Sequence, residues 1–312
     1  MGLKQVVGLL KDSGKEFIDD DCQTQAAALS YYTIFSLPPL LVLILMILGA
    51  LVSPRDIQGQ IETQIGMIMG PSAIEQIRSI LQQAKQPGGG AFLPTALSVV
   101  ALALGAAGAF GQLQASLNRA WEVAPDPQQG GIKAFLLKRV FSFGMILSVA
   151  FLLLVSLVLS AALSAFGTAL GGMLPEGVSA TLLQVVNQVV SFAVVTTLFA
   201  AIFKVLPDAT VAWRDVWVGA AVTALLFVIG KYLIGLYLGR SNPGEAFGAA
   251  GSLAVMLVWI YYSSMILLFG AEFTQAWSER RGSGIVPEPG AVRVVQEKKQ
   301  VREGQPAAAR AG

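Results

Sequence analysis

The stretch "GSLAVMLVWIYYSSMILLFGAEF", residues 251–273, decides the class of the fold. No formal charge occurs in it before Glu272, so the uncharged part reaches the length of about 20 apolar residues that a membrane-spanning helix needs. At about 100° per residue, Ser252, Ser263 and Gly270 fall on one helical face, which suits close packing against another helix in lipid. The stretch therefore predicts a transmembrane helix with Glu272 at one membrane interface.

The composition of the whole chain indicates that lipid is its solvent. Charged residues make up 13% of the 312 residues, against roughly 25% in soluble globular proteins. Apolar residues reach 54%, and the mean hydropathy is +0.66. The chain has no histidine and one cysteine, Cys22, which excludes a disulfide within the chain and a zinc site of the usual Cys/His kind. We expect neither a metal nor a cofactor.

Further apolar stretches of similar length predict an all-α integral membrane protein, a bundle of six transmembrane helices. Open β structure is excluded, because unpaired backbone groups are too costly in hydrocarbon. These helices form a transmembrane domain over 26–279. The predicted spans are approximately 26–52, 92–116, 140–164, 182–204, 215–238 and 250–272.

The distribution of basic residues predicts the orientation of the bundle. Of the 21 lysines and arginines, sixteen lie in segments on the side of the two termini and four on the other side, while Lys231 lies inside a helix. Because positive residues favour the cytoplasmic side, the sequence predicts a multi-pass protein with its N- and C-termini in the cytoplasm.

The segments outside the spans are short or polar. Residues 1–25 predict a cytoplasmic amphipathic helix, lying either on the membrane surface or against the underside of the bundle. Residues 53–91 predict short interfacial helices on the outer side, and 280–312 predict a disordered cytoplasmic tail. The apolar face of the N-terminal helix comprises Leu3, Val6, Val7, Leu10, Phe17 and Ile18.

Two consecutive prolines, Pro38 and Pro39, predict a break or kink in the first transmembrane helix. They remove two backbone donors and leave the carbonyls of Ile34 and Phe35 without their intrahelical partners. In transporters, carbonyls freed in this way bind substrates or ions. The alternative is a structural kink whose carbonyls bond to Ser30, Thr33 or a neighbouring helix.

Polar side chains form two groups in the predicted bundle. The outer group follows an i, i+3, i+4, i+7 pattern on the fourth span and is joined by a lysine inside the fifth span, which suits an anionic substrate or headgroup. The alternative interpretation is that the lysine extends to the outer membrane interface and that the amide side chains form hydrogen bonds between helices. The outer group comprises Gln184, Asn187, Gln188, Ser191 and Lys231. The cytoplasmic polar cluster comprises Tyr31, Tyr32, Asn118, Arg119, Asp208 and Glu272.

Three stretches also carry a family likeness. They are "AAALSYYTIFSLPPLLVL" at 26–43, "GAFGQLQASLNRAWEV" at 108–123 and "AAGSLAVMLVWIYYSSMILLFGAEF" at 249–273. With "FKVLPDATVAWRDVWVGA" at 203–220, they resemble the YihY/BrkB family of bacterial inner-membrane proteins, once mislabelled as ribonuclease BN. The resemblance implies six transmembrane helices in the bacterial inner (plasma) membrane. It also implies an association with envelope-lipid export.

The favoured function is a transporter or exporter of an amphipathic or anionic substrate, such as an envelope lipid. The chain contains no GxxxxGK[ST] motif, so we expect no ATPase of its own. The alternatives are an ion channel or cation/proton antiporter, and a non-transporting scaffold for envelope machinery. Expected partners are membrane lipids and envelope-biogenesis proteins, with no nucleic acid, and a homo-oligomer is compatible with the sequence. Without histidine or a carboxylate cluster for metal ions, we expect no enzyme activity and no catalytic residues.

Overall fold

The computed structural model describes residues 3–48, 59, 78, 108–126, 178–241 and 250–294 of the chain. This part consists mainly of helices. In chain order they are α1 (Leu3–Asp19), α2 (Cys22–Leu48), α3 (described over 108–120), α4 (Val178–Val205), α5 (Trp213–Ser241) and α6 (Gly251–Arg281). Four short strands accompany them: β1 (Val123–Pro125), β2 (Ala209–Thr210), β3 (Val286–Pro287) and β4 (Ala291–Arg293).

Three helices of the described part are long and apolar enough to cross a membrane. Their apolar segments are Gln188–Val205, Trp213–Tyr237 and Leu253–Arg281, and they coincide with the spans predicted at 182–204, 215–238 and 250–272. The span predicted at 140–164, most of 92–116 and nearly all of 53–91 lie outside the described residues. The fold is therefore helical with three membrane-capable helices within the described part.

Helix α2 runs without interruption through Pro38 and Pro39, so the helix is not broken there, and a kink at this point stays a prediction. A proline's φ of about −65° fits a helix, and what it removes is a backbone donor. Ser36, two residues before Pro38, is buried, and its Oγ accepts a hydrogen bond from the backbone N–H of Ala109 (3.1 Å). This contact ties α2 to α3 beside the proline pair.

Helices α5 and α6 pack closely through reciprocal glycine and threonine positions. A Cβ atom at Gly219 of α5 would collide with Thr274 of α6, and one at Gly270 of α6 would collide with Thr223 of α5. All of these positions are buried. Small residues at a helix interface allow close backbone approach in lipid, so the small-residue face predicted at Gly270 is used for packing.

Helix α1 packs against the C-terminal part of α6. The ring centroids of Phe17 and Phe269 lie 6.1 Å apart, and Arg280 forms an ion pair with Asp12. Leu9 is buried, whereas Ile18 is 71% exposed. A helix is therefore present where one was predicted within residues 1–25, and it packs against a membrane-capable helix, but Val7, Leu10 and Ile18 of its predicted apolar face are exposed.

The segment after α6 is ordered as far as residue 294, which corrects the prediction of a disordered tail from residue 280. Strand β3 pairs antiparallel with β2, and β4 pairs antiparallel with β1. Ile285 is buried in the same core as Trp121 and Phe203. These distant partners order the segment, because an isolated strand of two or three residues has no stability of its own. Residues 295–312 lie outside the described part.

Candidate functional site

Glu272 of α6 is a buried carboxyl group, only 1% exposed. The Cys22 thiol, at the first residue of α2, donates a hydrogen bond to Glu272 Oε1 (3.2 Å). The side chain of Gln275, in the amide orientation that satisfies its neighbours, donates to Glu272 Oε2 (3.2 Å) and to the carbonyl oxygen of Ala120 (2.6 Å). The carboxyl group is thus held by neutral donors from two helices.

The C-terminal end of α3 is fixed against α6 beside this carboxyl group. The indole Nε1 of Trp121 donates to the carbonyl oxygen of Ala271 (3.1 Å), the residue before Glu272. Trp121 is buried, and its ring lies 6.2 Å from that of Phe203 on α4. Three helices therefore fix the surroundings of Glu272.

The charged groups nearest to Glu272 are mostly acidic. Glu16, Asp20 and Glu122 act electrostatically on it, while Arg119 acts on its partner Cys22. Burial raises the pKa of the Cys22 thiol well above its usual range. The thiol therefore keeps its proton and remains a hydrogen-bond donor.

A cavity of about 510 Å³, which we call the acidic cavity, is lined in part by the three carboxylates that act electrostatically on Glu272. Four carboxylates and one guanidinium group line it. The Nε atom of Arg119 is buried and, within the part of the chain that the structure describes, has no hydrogen-bond partner. The lining residues are Glu16, Asp19, Asp20, Arg119, Glu122, Val123, Ala124 and Val294.

The predicted cytoplasmic polar cluster is divided by the structure into separate groups. Arg119 and Glu272 belong to the site just described. Tyr31 and Tyr32 are exposed on α2, with their rings edge to face at 5.7 Å. Asn118 and Asp208 form a third group.

Asn118 and Asp208 form a reciprocal pair of hydrogen bonds. Asn118 Nδ2 donates to Asp208 Oδ2 (2.8 Å), and the backbone N–H of Asp208 donates to Asn118 Oδ1 (2.8 Å). Gln114 Nε2 donates to Asp208 Oδ1 (3.1 Å), and the backbone N–H of Glu288 donates to the carbonyl oxygen of Asp208 (3.0 Å). Asp208 is thus engaged in holding the loop between α4 and α5, together with the segment after α6.

The second predicted group, in the outer half, is described only in part. Gln188 and Ser191 are exposed on α4, and Lys231 on α5 is half-buried. The side chains of Gln184 and Asn187 lie outside the described residues. The assignment of these five residues to a substrate site stays a prediction.

A cavity of about 340 Å³ lies where α5 begins and α6 ends, and sequence reasoning missed it. We call it the arginine cavity, and its lining residues are Arg214, Val218, Trp277 and Arg281. The Arg281 guanidinium lies 5.7 Å from the centre of the Trp277 ring. The i, i+4 spacing of Trp277 and Arg281 could have revealed part of this cavity from the sequence, since residues at this spacing share a helical face.

Comparison with known proteins places the chain in a family. Residues 14–294 match the family model described as Virulence factor BrkB. The chain belongs to the BrkB family. This confirms the resemblance predicted from the sequence, and the matched range includes β3 and β4, so the ordered segment after α6 is part of the BrkB region.

Several curated relatives of this BrkB-family chain are named membrane proteins. A "UPF0761 membrane protein" of Alcanivorax borkumensis is 28% identical over 265 residues, 84% of this chain and 58% of the relative. One of Pseudomonas aeruginosa is 29% identical over 297 residues, 91% of this chain and 68% of the relative. The "Putative ribonuclease-like protein YfkH" of Bacillus subtilis is 24% identical over 282 residues, 88% of this chain and 97% of the relative. The chain thus spans about three fifths of the Alcanivorax protein. No solved structure gave a significant match.

Proposed function

We propose that this BrkB-family membrane protein is a transporter of an amphipathic or anionic substrate, such as an envelope lipid, and not an enzyme. In this proposal it lies in the bacterial inner membrane with both termini in the cytoplasm. The observation that supports it is the presence of two polar residues, Gln188 and Ser191, on a membrane-capable helix. Polar side chains at membrane depth normally face a protein interior or a water-filled cavity, because hydrocarbon leaves them unsatisfied.

The helix that packs against this one carries a lysine within its membrane-capable segment. Helices α4 and α5 pack together, with the rings of Phe199 and Phe227 at 5.8 Å, and α5 carries the half-buried Lys231. Amide donors and one ammonium group suit a phosphate or carboxylate, since charge-assisted hydrogen bonds to anions are stronger than neutral ones. An anionic or amphipathic substrate fits this chemistry.

The buried carboxyl group supports coupling of this transport to protons. Glu272 is faced by Glu16 of α1, Asp20 of the α1–α2 turn, Cys22 of α2 and Glu122 after α3. Of these groups, three are acidic and one is a neutral thiol. Burying an unpaired charge is costly, so the uncharged carboxyl is favoured in this arrangement, and opening the site to water favours its ionisation. Ionisation of Glu272 on opening of the site would release its proton to the acidic cavity.

The transport proposal is tested with the purified protein in phosphatidylcholine vesicles that contain fluorescent phosphatidylglycerol. Dithionite quenching of the outer leaflet measures how fast the labelled lipid crosses. We expect Lys231→Ala to slow this crossing by roughly tenfold or more, the effect of losing one charge-assisted bond. The matched control is Lys11→Ala, which removes an exposed lysine of α1.

Unchanged crossing in folded Lys231→Ala would contradict the assignment of the outer group. No crossing by the wild-type protein would contradict phosphatidylglycerol transport itself. Glu272 also favours a second candidate, a cation/proton antiporter. That candidate predicts cation-dependent proton flux in the same vesicles, without movement of labelled lipid.

A further inference from the structure

The arginine cavity has a chemistry opposite to that of the acidic cavity. Its four lining residues are two arginines, a tryptophan and a valine, with no acidic side chain among them. Arg281 Nη2 donates to Gln5 Oε1 (2.6 Å), a neutral partner that fixes the side chain without cancelling its charge. Arg214 is exposed at the first turn of α5. Two guanidinium groups thus border one pocket.

Neighbouring charged groups are engaged elsewhere. Asp215, next to Arg214, is buried and accepts a hydrogen bond from Ser278 Oγ (3.3 Å). Arg280, next to Arg281, forms an ion pair with Asp12. The charged side chains that line the cavity are those of Arg214 and Arg281, and both attract anions.

Two exposed tryptophans beside this cavity indicate that it lies at the level of the lipid headgroups. Trp213 is 54% exposed and Trp217 is 44% exposed, both at the N-terminal end of α5. The Lys204 ammonium lies 5.8 Å from the centre of the Trp213 ring. In membrane proteins, tryptophan is enriched where the apolar core meets water, and basic residues beside it contact headgroups.

We propose that the arginine cavity binds the phosphate group of an anionic phospholipid from the surrounding membrane. Arg214 and Arg281 donate to the phosphate oxygens, because the guanidinium fork matches phosphate geometry. Trp213 and Trp217 contact the glycerol and the first part of the acyl chains. The lipid joins the start of α5 to the end of α6. This inference does not depend on the transport proposal, because it concerns a bound lipid and not a transported one.

The test uses the full chain in neutral detergent and native mass spectrometry, with dioleoylphosphatidylglycerol as the probe. Wild-type protein is expected to retain this lipid. The double variant Arg214→Gln with Arg281→Gln is expected to bind it about tenfold more weakly or worse, since two charge-assisted contacts are lost. A variant with lysine at both positions should fall between the two. The matched control, Lys11→Gln with Lys15→Gln, removes two exposed charges on α1 and should leave binding unchanged.

Two measurements on the wild-type protein make the test independent of how the variants fold. Dioleoylglycerol has the same acyl chains without phosphate, and its equal retention would overturn the proposal. Inorganic phosphate that competes as well as phosphatidylglycerol at the same concentration would overturn the lipid assignment in favour of a soluble anion. Undiminished phosphatidylglycerol binding by the folded double glutamine variant would overturn the site itself.

Discussion

Thr274 on α6 occupies the space that Gly219 on α5 leaves open, so a Cβ atom at position 219 would collide with the threonine. The relationship is repeated in reverse between Thr223 on α5 and Gly270 on α6. Each threonine hydroxyl donates to the carbonyl oxygen of the glycine four residues earlier on its own helix, at 2.7 Å. The close approach of the helices therefore leaves neither hydroxyl group unsatisfied, and it fixes the register between α5 and α6.

Gly219→Ala should destabilise the protein because the added methyl group has no room. Overpacking of a close contact costs typically about 1–3 kcal/mol. Thermal unfolding in detergent, followed by circular dichroism, measures the change. The matched control is Gly235→Ala on the same helix, where no atom lies within 4 Å of the added carbon, and it should not destabilise. Adding Thr274→Ala to Gly219→Ala should recover part of the loss, and a failure to recover would contradict the steric explanation.

Cys22 should be inert to a water-soluble maleimide in the folded protein. The thiol is buried, donates to Glu272, and has a raised pKa because of that burial, so little thiolate is available to react. Because it is the only cysteine, mass spectrometry reports its labelling directly. We expect labelling on the order of 100-fold slower than in denaturant, since reaction requires local opening. Equal rates in the folded and denatured protein would show that Cys22 is not enclosed.

The membrane-capable helices were predictable from the sequence because their signal is local. The length of an apolar run such as residues 251–271 alone requires a helix in lipid. Helix α2 also lies where a span was predicted, but the break predicted at Pro38 and Pro39 is absent, because both prolines fit within a continuous helix. The helix propensity of single residues predicts secondary structure weakly where tertiary packing determines it.

The arrangement at the ends of the helices was not predictable, since it depends on contacts between residues distant in the chain. Arg293 donates to Glu122, 171 residues away, and β3 and β4 are only two and three residues long. No periodicity is readable in segments of this length. Arg214 and Arg281 line one cavity for the same reason, because α5 packs against α6. Glu272, in contrast, could be recognised from the sequence, because it is a charged residue at the end of an apolar run.

Asn118→Ala should weaken the loop between α4 and α5. The substitution removes both hydrogen bonds between Asn118 and Asp208 and leaves the Asp208 carboxylate with fewer donors. Loss of hydrogen bonds to a charged group costs about 1.5–3 kcal/mol. Limited proteolysis between α4 and α5 should become faster, and the unfolding temperature should fall.

Gln114→Ala is the matched control for Asn118→Ala, since it removes one bond to the same carboxylate (3.1 Å). We expect a smaller effect from it. An Asn118→Ala variant as resistant to protease as the wild type would show that the paired bonds do not hold the loop.

Two truncated chains distinguish the contribution of the ordered segment after α6, up to residue 294, from that of residues 295–312. Ending the chain after residue 294 should leave the unfolding temperature unchanged, because β3, β4 and the ion pairs of Arg293 with Glu122 and Glu279 are retained. Ending it after residue 282 should lower that temperature, because both strand pairs and the buried Ile285 are lost.

Ile285→Ala in the full chain should destabilise by about 2–4 kcal/mol, the cost of a cavity in a packed core. Full stability of the chain that ends after residue 282 would contradict a structural role for these strands, and a large loss on ending after residue 294 would assign that role to residues 295–312.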